Sequence, residues 1–244
     1  MIRYLLVCTT VVGFLILSIP LILIELLIGI FSPRIKDVSS LAIVNAVFRL
    51  CLFLSGARPT VIGLENVPKD KAVLYICNHQ SFFDILLTYV RVPRPTGYVA
   101  KLEMKKMPLL NVWMIFLHCL FLDRANIKEG LKVILKCIEK VKSGISICIF
   151  PEGTRCRSKD EFLPFHAGSF KIATKTGCPI IPVSINNTSA IFEDQFPIMK
   201  KTHVILEYGT PIILDELSEY DQKHIDKYTE NIIKTMYDKN KELI

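Results

Sequence analysis

The chain has 244 residues, of which 51% are hydrophobic and 22% charged, and it carries a net charge of +7. This apolar content excludes a disordered chain and argues against a soluble enzyme with no membrane contact. The length suffices for one α/β domain plus a small appendage.

Residues 4–24 contain no charge, and the apolar run continues past Glu25 to Phe31, long enough to span a bilayer. It exceeds the apolar region of a cleaved signal peptide, and no small-x-small site follows it closely. Pro20 predicts a kink, because it lacks an N–H and its ring clashes with the preceding turn. After Ser32-Pro33 comes a second apolar stretch, 39–54, with Arg49 as its one charge. Together they read as a two-helix membrane-associated hairpin over residues 1–57. The hairpin crosses the membrane once or buries both arms in one leaflet. The short second arm, Glu25 and Arg49 favour the shallow mode, with both charges reaching the headgroups. The competing reading is a buried core hairpin of a soluble protein.

From about residue 58 to 244 the pattern is that of a separate α/β domain. Short β-type runs at 72–77, 119–122, 145–150, 180–185 and 204–208 alternate with helical stretches. The clearest helix is 127–142, where Ile127, Leu131, Ile134, Leu135, Ile138 and Val141 recur at helical spacing. Residues 215–244 read as one terminal amphipathic helix. The fold class is therefore α/β, with a mixed, mostly parallel sheet flanked by helices. Residues 32–180 sum to +11 and 181–244 to −4. A basic middle beside an apolar N-terminus suits an anionic partner: a membrane surface, a phosphate substrate or an acidic carrier protein. Arg91, Arg94, Lys105 and Lys106 would add attraction to anionic lipid. Lys128, Lys132, Lys136 and Lys140 make a stripe along the 127–142 helix, read as a solvated face or as a docking strip for a carrier protein or headgroups. No nucleic-acid motif accompanies the charge, so nucleic acid is not an expected partner. The eight cysteines show no C-x-x-C spacing, so reduced core thiols are expected and no metal site is.

Three of the apolar strands end in polar residues. Residues 72–77 run into Asn78-His79-Gln80-Ser81-Phe82-Phe83-Asp84, 119–122 into Asp123-Arg124, and 145–150 into Pro151-Glu152-Gly153-Thr154-Arg155. Ligands of open α/β sheets bind beyond the carboxyl ends of strands, so three parallel strands bring these loops to one crevice. An Asp five residues after a His can accept its Nδ1–H and leave Nε2 as a base. Taken alone, such a pair is more often a strand-capping His beside a solvated Asp. No G-x-S-x-G elbow exists, and Ser81 is too near His79 in sequence for a usual triad, so the base has to activate a substrate hydroxyl. Gly153 permits a tight turn, and Arg155 offers a planar fork suited to phosphate. Glu152 orients Arg155 or contacts a substrate hydroxyl.

Together these residues resemble the bacterial phospholipid acyltransferase family, over about residues 60–210. Asn78–Asp84 is similar to that family's N-H-x-S-x-x-D block, and 121–124 to its second block. Residues 150–155 match F-P-E-G-T-R in full, and 178–183 resemble the proline-containing fourth block. The resemblance implies His79 as general base and Asp84 as its orienting partner. It implies that Glu152, Gly153, Thr154 and Arg155 frame the acceptor, with Arg155 on its phosphate and Lys101 as a second phosphate contact. Arg124 holds the second loop against the site, or pairs with Asp123 or Glu152. The implied reaction moves an acyl chain from acyl-CoA or acyl carrier protein, as co-substrate, to 1-acyl-glycerol 3-phosphate. No acyl-enzyme and no bound cofactor are expected. The alternatives are a related acyltransferase acting on glycerol 3-phosphate or another lysolipid, a lipid hydrolase, and a non-catalytic membrane scaffold. The expected location is the cytoplasmic face of the cell membrane, through a monotopic or single-span anchor.

Overall fold

The N-terminal apolar run folds as two helices, α1 (Ile2–Leu17) and α2 (Ile19–Phe31), bent by 53°. Pro20 lies in the first turn of α2, where it has no N–H to give the carbonyl of Ile16. At the break, the Ser18 hydroxyl donates to the Leu15 carbonyl at 2.9 Å and accepts from the Trp113 indole at 2.9 Å. The return arm, α3 (Pro33–Ser55), starts earlier than its apolar stretch because Ser32 caps the Ile35 N–H and Pro33 fits the first helical position. Gly56, at φ 83°, ends it. The expected hairpin thus has a broken first arm. Glu25 departs from expectation: it is 2% exposed and accepts from the Ser39 and Ser40 hydroxyls, both at 2.9 Å. It ties α2 to α3 rather than reaching headgroups, because a buried carboxylate needs such partners. Arg49 stays exposed, 3.5 Å from the Val90 carbonyl.

The computed structural model describes residues 1–123, 125–158 and 161–244. After the N-terminal helices come β1 (Ala57–Ile62), β2 (Leu74–Cys77), α4 (Phe83–Tyr89), β3 (Thr96–Lys101), α5 (Leu110–Phe116), β4 (Leu120–Leu122), α6 (Ile127–Lys142) and β5 (Ser146–Ile149). They are followed by α7 (Lys171–Thr176), β6 (Ile180–Asn186), β7 (Thr202–Tyr208), α8 (Glu219–Lys223) and α9 (Ile225–Lys241). The strands form one sheet in the order β1-β7-β6-β2-β5-β3-β4. From β6 to β4 every neighbour is parallel; β7 runs antiparallel to β6, and β1 parallel to β7. This is the expected mixed, mostly parallel sheet.

Strands β2, β5 and β6 are buried along their whole lengths, as parallel strands covered on both faces must be. Their alternation divides the core. Tyr75, Cys77, Cys148, Ile181 and Val183 face α3, α4 and α5, whereas Leu74, Ile76, Ile147, Ile149 and Ile180 face α6, α7 and α9. Two strands escaped the sequence reading. The β1 run Ala-Arg-Pro-Thr-Val-Ile carries a proline and two polar residues, tolerable because β1 is an edge. The β3 run contains Gly97, whose absent Cβ lets the His118 carbonyl approach to within 2.3 Å of where it would stand.

Helix α6 has the expected bounds, with the Asn126 side chain capping the N–H groups of Lys128 and Glu129. Its buried side is Val133, Cys137 and Val141, while Leu131 and Leu135 are exposed. Lys140 leaves the lysine stripe: its ammonium is 3.1 Å from His118 Nδ1, and His118 Nε2 is 3.0 Å from Asp37 of α3. Burial pushes the His118 pKa down, against the Asp37 charge. Arg91 and Arg94 are also turned inward, donating to the Leu87 and Gly144 carbonyls, so of the basic group only Lys105 and Lys106 are exposed. The single C-terminal helix expected over 215–244 is broken at His224, between α8 and α9.

Candidate active site

Strand β2 stops at Asn78, which is fully buried. Its side-chain amide donates to the Ile185 carbonyl and accepts from the Ile185 N–H, both at 2.8 Å, so a side chain continues the ladder to β6. The main chain is thereby freed to turn. His79 leaves the strand end, and Asp84 enters the first turn of α4, where a negative charge is favoured.

His79 Nδ1 lies 2.8 Å from Asp84 Oδ2. With a carboxylate as its partner, Nδ1 carries the proton and Nε2 is left as the basic nitrogen. Asp84 has no exposed surface. Its Oδ2 also accepts from the main-chain N–H groups of Gln80 at 2.7 Å and Ser81 at 2.8 Å, and its Oδ1 accepts from the Thr188 hydroxyl. Four donors therefore converge on one carboxylate, which fixes its position. The His79 ring stacks on Phe150, with centroids 4.1 Å apart.

The residues after β5 take different places. Glu152 is 4% exposed, and its two oxygens accept from the main-chain N–H groups of His79 at 2.7 Å and Leu163 at 3.1 Å. It neither orients Arg155 nor faces outward to a substrate hydroxyl; it holds the backbone of His79. The cause is geometric: β5 is the hydrogen-bonded neighbour of β2, so its strand-end residue meets the loop that follows β2. Burial pushes the Glu152 pKa up to about 7, opposed by the two N–H donors and assisted by the Asp84 charge. The Cys156 N–H closes the loop from the other side, on the His79 carbonyl at 2.7 Å. Gly153 adopts φ 73°, a left-handed turn that a side chain would strain. Thr154 is exposed. Arg155, 37% exposed, is 3.2 Å from the Glu193 carboxylate and lies 3.8 Å over the Phe82 ring. The Ser81 hydroxyl donates to Glu193 at 2.7 Å and its oxygen accepts from Phe83 N–H at 3.0 Å, an arrangement that engages it structurally.

Lys101 ends β3, paired with Leu122 of β4, and among the described residues its side chain makes no hydrogen bond or ion pair. It lines a recess of about 410 Å³ with Lys106, Leu122 and Asp123. Leu122 and Asp123 also wall a second cavity of about 410 Å³, mostly apolar, whose floor includes Leu131, Ile134, Phe150 and Gly153. The loops after β3, β4 and β5 thus share one edge of the sheet with the loop carrying His79. Arg124 lies outside the described residues. Among the described residues no group of three or more His, Cys, Asp or Glu is placed to hold a metal ion.

Three residues of this site escaped the sequence reading: Thr188 on Asp84, Glu193 on Arg155, and Tyr237, whose hydroxyl accepts from the Gln80 side chain at 2.7 Å; Phe150, the first residue of the F-P-E-G-T-R match, lies under His79. Thr188 follows β6 by two residues. The strand-end rule that selected the other three loops would have found it, had it been applied to this strand as well.

Comparison with known proteins identifies the family. The profile of the acyltransferase family matches residues 58–186. Over 186 residues, the chain is 32% identical to the 1-acyl-sn-glycerol-3-phosphate acyltransferase of Borreliella burgdorferi, spanning 76% of this chain and 74% of that protein. It is 30% identical over 198 residues to the protein of the same name from Saccharomyces cerevisiae, spanning 80% of this chain and 64% of that one. The crystal structure of the 1-acyl-sn-glycerophosphate acyltransferase PlsC from Thermotoga maritima superposes with a TM-score of 0.80 at 28% identity, covering 98% of this chain and 95% of that one.

Proposed function

The chain belongs to the acyltransferase family, and on that footing we propose that it is a 1-acyl-sn-glycerol-3-phosphate acyltransferase. It moves an acyl chain from an acyl thioester, acyl-CoA or acyl carrier protein, to the free sn-2 hydroxyl of 1-acyl-glycerol 3-phosphate, and so makes phosphatidate. The observation that carries the reading is the His79 Nδ1–Asp84 contact of 2.8 Å at the end of a buried strand.

His79 Nε2 takes the proton of the acceptor hydroxyl as that oxygen attacks the thioester carbonyl. The tetrahedral oxyanion collapses, the C–S bond breaks, and the imidazolium returns its proton to the departing thiolate. Asp84 holds the ring and balances the imidazolium charge, an effect of roughly 10²–10⁴-fold for general-base catalysis. The acceptor oxygen is the nucleophile, so no acyl-enzyme forms; the structural engagement of Ser81 supports this. Arg155 is the principal phosphate ligand, and Lys101 adds a second cation from the adjoining recess. Glu152 is a positioning residue for His79. The apolar cavity beside Phe150 and Gly153 receives the alkyl chain of the donor, which leaves water at a gain of about 0.8 kcal/mol per CH₂.

The N-terminal helices hold the enzyme at the membrane that contains its acceptor and product. Helix α3 is long and apolar enough to cross a bilayer. However, it packs on α4 and α5 through Leu41, Val44, Cys51 and Leu52, and leaving that interface would expose those side chains. The outward faces of α1 and α2, with Leu5, Val12, Ile16, Leu23, Leu27 and Phe31 exposed, enter one leaflet instead. The reading is a monotopic anchor on the cytoplasmic face, supported by the packing of α3 and by free thiols that fit a reducing compartment. The test is a purified-protein assay with labelled acyl thioester and a panel of glycerol 3-phosphate, lysophosphatidate and neutral lysolipids. Labelled phosphatidate from lysophosphatidate is expected. Free fatty acid with no lipid product would move the chain to the hydrolases, and preferred acylation of another acceptor would overturn the substrate.

A further inference from the structure

Glu193 sits on the donors that an acceptor phosphate has to reach. It lies in a short turn, Glu193–Gln195, between β6 and β7. One of its oxygens is 3.2 Å from an Arg155 guanidinium nitrogen and accepts the Phe82 N–H at 2.8 Å. The other accepts the Ser81 hydroxyl at 2.7 Å. A guanidinium, a main-chain N–H and a hydroxyl converging on one carboxylate are the same donors a phosphomonoester uses. We propose that Glu193 occupies the acceptor's anion position in the unliganded protein. The phosphate of the lysophospholipid displaces it from Arg155, so Glu193 sets the selectivity for a dianionic headgroup. This rests on the reading of Arg155 as a phosphate ligand given above.

The segment that carries Glu193 is seated against α1. Phe192 stacks on Tyr4 of α1 with centroids 5.3 Å apart, and Phe196 meets the same ring edge-on at 6.3 Å. Phe196 is 68% exposed, and Phe82, beneath Arg155, 54%. Both extend the apolar surface of α1 to the mouth of the site. A lipid headgroup arriving along that surface meets Glu193 first. A monoanionic or neutral headgroup cannot outcompete a carboxylate already in place, whereas a dianion can.

Glu193→Gln keeps one acceptor oxygen for the Phe82 N–H, turns its amide NH₂ toward the Ser81 oxygen, and removes the charge that holds Arg155. The expected result is a KM for 1-acyl-glycerol 3-phosphate lowered about five-fold, the scale of a part-exposed ion pair released to another anion. The KM for the thioester stays at the wild-type level. Calorimetry with glycerol 3-phosphate as the probe gives a Kd lower by a similar factor. Glu193→Asp, which draws the charge back from Arg155, moves both constants in the same direction and serves if the Gln variant does not fold. An acceptor KM that is unchanged or raised in both variants overturns the proposal, because Glu193 would then be orienting Arg155 rather than competing for it. Tighter glycerol 3-phosphate binding in a protein that transfers no acyl group would sink the function and leave the competition standing.

Discussion

At the residue scale the site depends on how one carboxylate is held. Asp84 receives donors from four directions, so changes to its partners act through the His79 ring. Asp84→Asn reverses the Nδ1 contact and favours the wrong tautomer; kcat should fall about 10²- to 10³-fold, with both KM values little changed. Thr188→Val removes the hydroxyl from Oδ1 and leaves the other three donors, for an expected loss of about ten-fold in kcat. Steady-state kinetics on the two variants distinguishes them, and an unaffected Thr188→Val enzyme would show that the ring is held without that contact. Glu152 gives a pH signature. Its folded pKa of about 7 exceeds the ordinary 4.5, so the folded protein binds an extra proton between those values. Its contribution to stability is therefore fully present below about pH 4.5 and is lost as pH rises through 7, by up to about 3 kcal/mol. Urea unfolding in detergent at pH 5 to 8 should show this slope in the wild type and a flatter one in Glu152→Gln; parallel curves would contradict it. The sequence made His79 and Asp84 legible because five residues bridge one turn. Glu152 was misplaced because its partner is a main-chain N–H 73 positions earlier, a contact set by strand order.

At the scale of elements, α9 reaches the catalytic loop through the Tyr237 hydroxyl, which accepts from the Gln80 amide. Tyr237→Phe leaves that amide without its best acceptor. The expected cost is about 1 kcal/mol of stability, read from the unfolding midpoint, with a kcat lowered a few-fold. Full activity in this variant would mean that the loop is fixed without α9, by Asp84, Glu152 and the Cys156 N–H. Apolar runs and the 3.6-residue period made β2, β4, β5, β6, β7 and α6 readable, since their burial and their pattern agree. The edge strand β1 and the glycine-containing β3 gave no such signal. Nor did the break at His224, where Leu217 and Ile225 keep helical spacing but the backbone leaves the helical region. The first arm is the reverse case: Pro20 announced the bend, and the bend is there.

At the scale of the whole molecule, the two faces of the sheet do different work. One carries α3, α4 and α5 with the apolar N-terminal helices on top; the other carries α6, α7 and α9, with Lys128, Lys132 and Lys136 exposed. A monotopic anchor leaves both chain ends on one side of the bilayer. Tags at the two termini of protein reconstituted into sealed vesicles should therefore be cut together by an external protease. Protection of one tag alone would establish a span and would require α3 to leave the body it packs on. The apolar N-terminus was legible from composition as helices fit to meet a membrane. The inward turn of Arg91, Arg94, Lys140 and Glu25 was hidden, because their partners are carbonyls, hydroxyls and a histidine brought close by the fold.

The central claim is that the His79 imidazole activates the acceptor oxygen directly. Rapid-quench, single-turnover measurement with labelled acyl thioester tests it most closely, using wild type and a folded His79→Ala variant, with and without lysophosphatidate. The expectation is labelled phosphatidate only from wild type with acceptor, and no label on the protein at any time. A His79→Ala enzyme turning over at the wild-type rate, or acyl label on the protein before acceptor is added, would contradict the account.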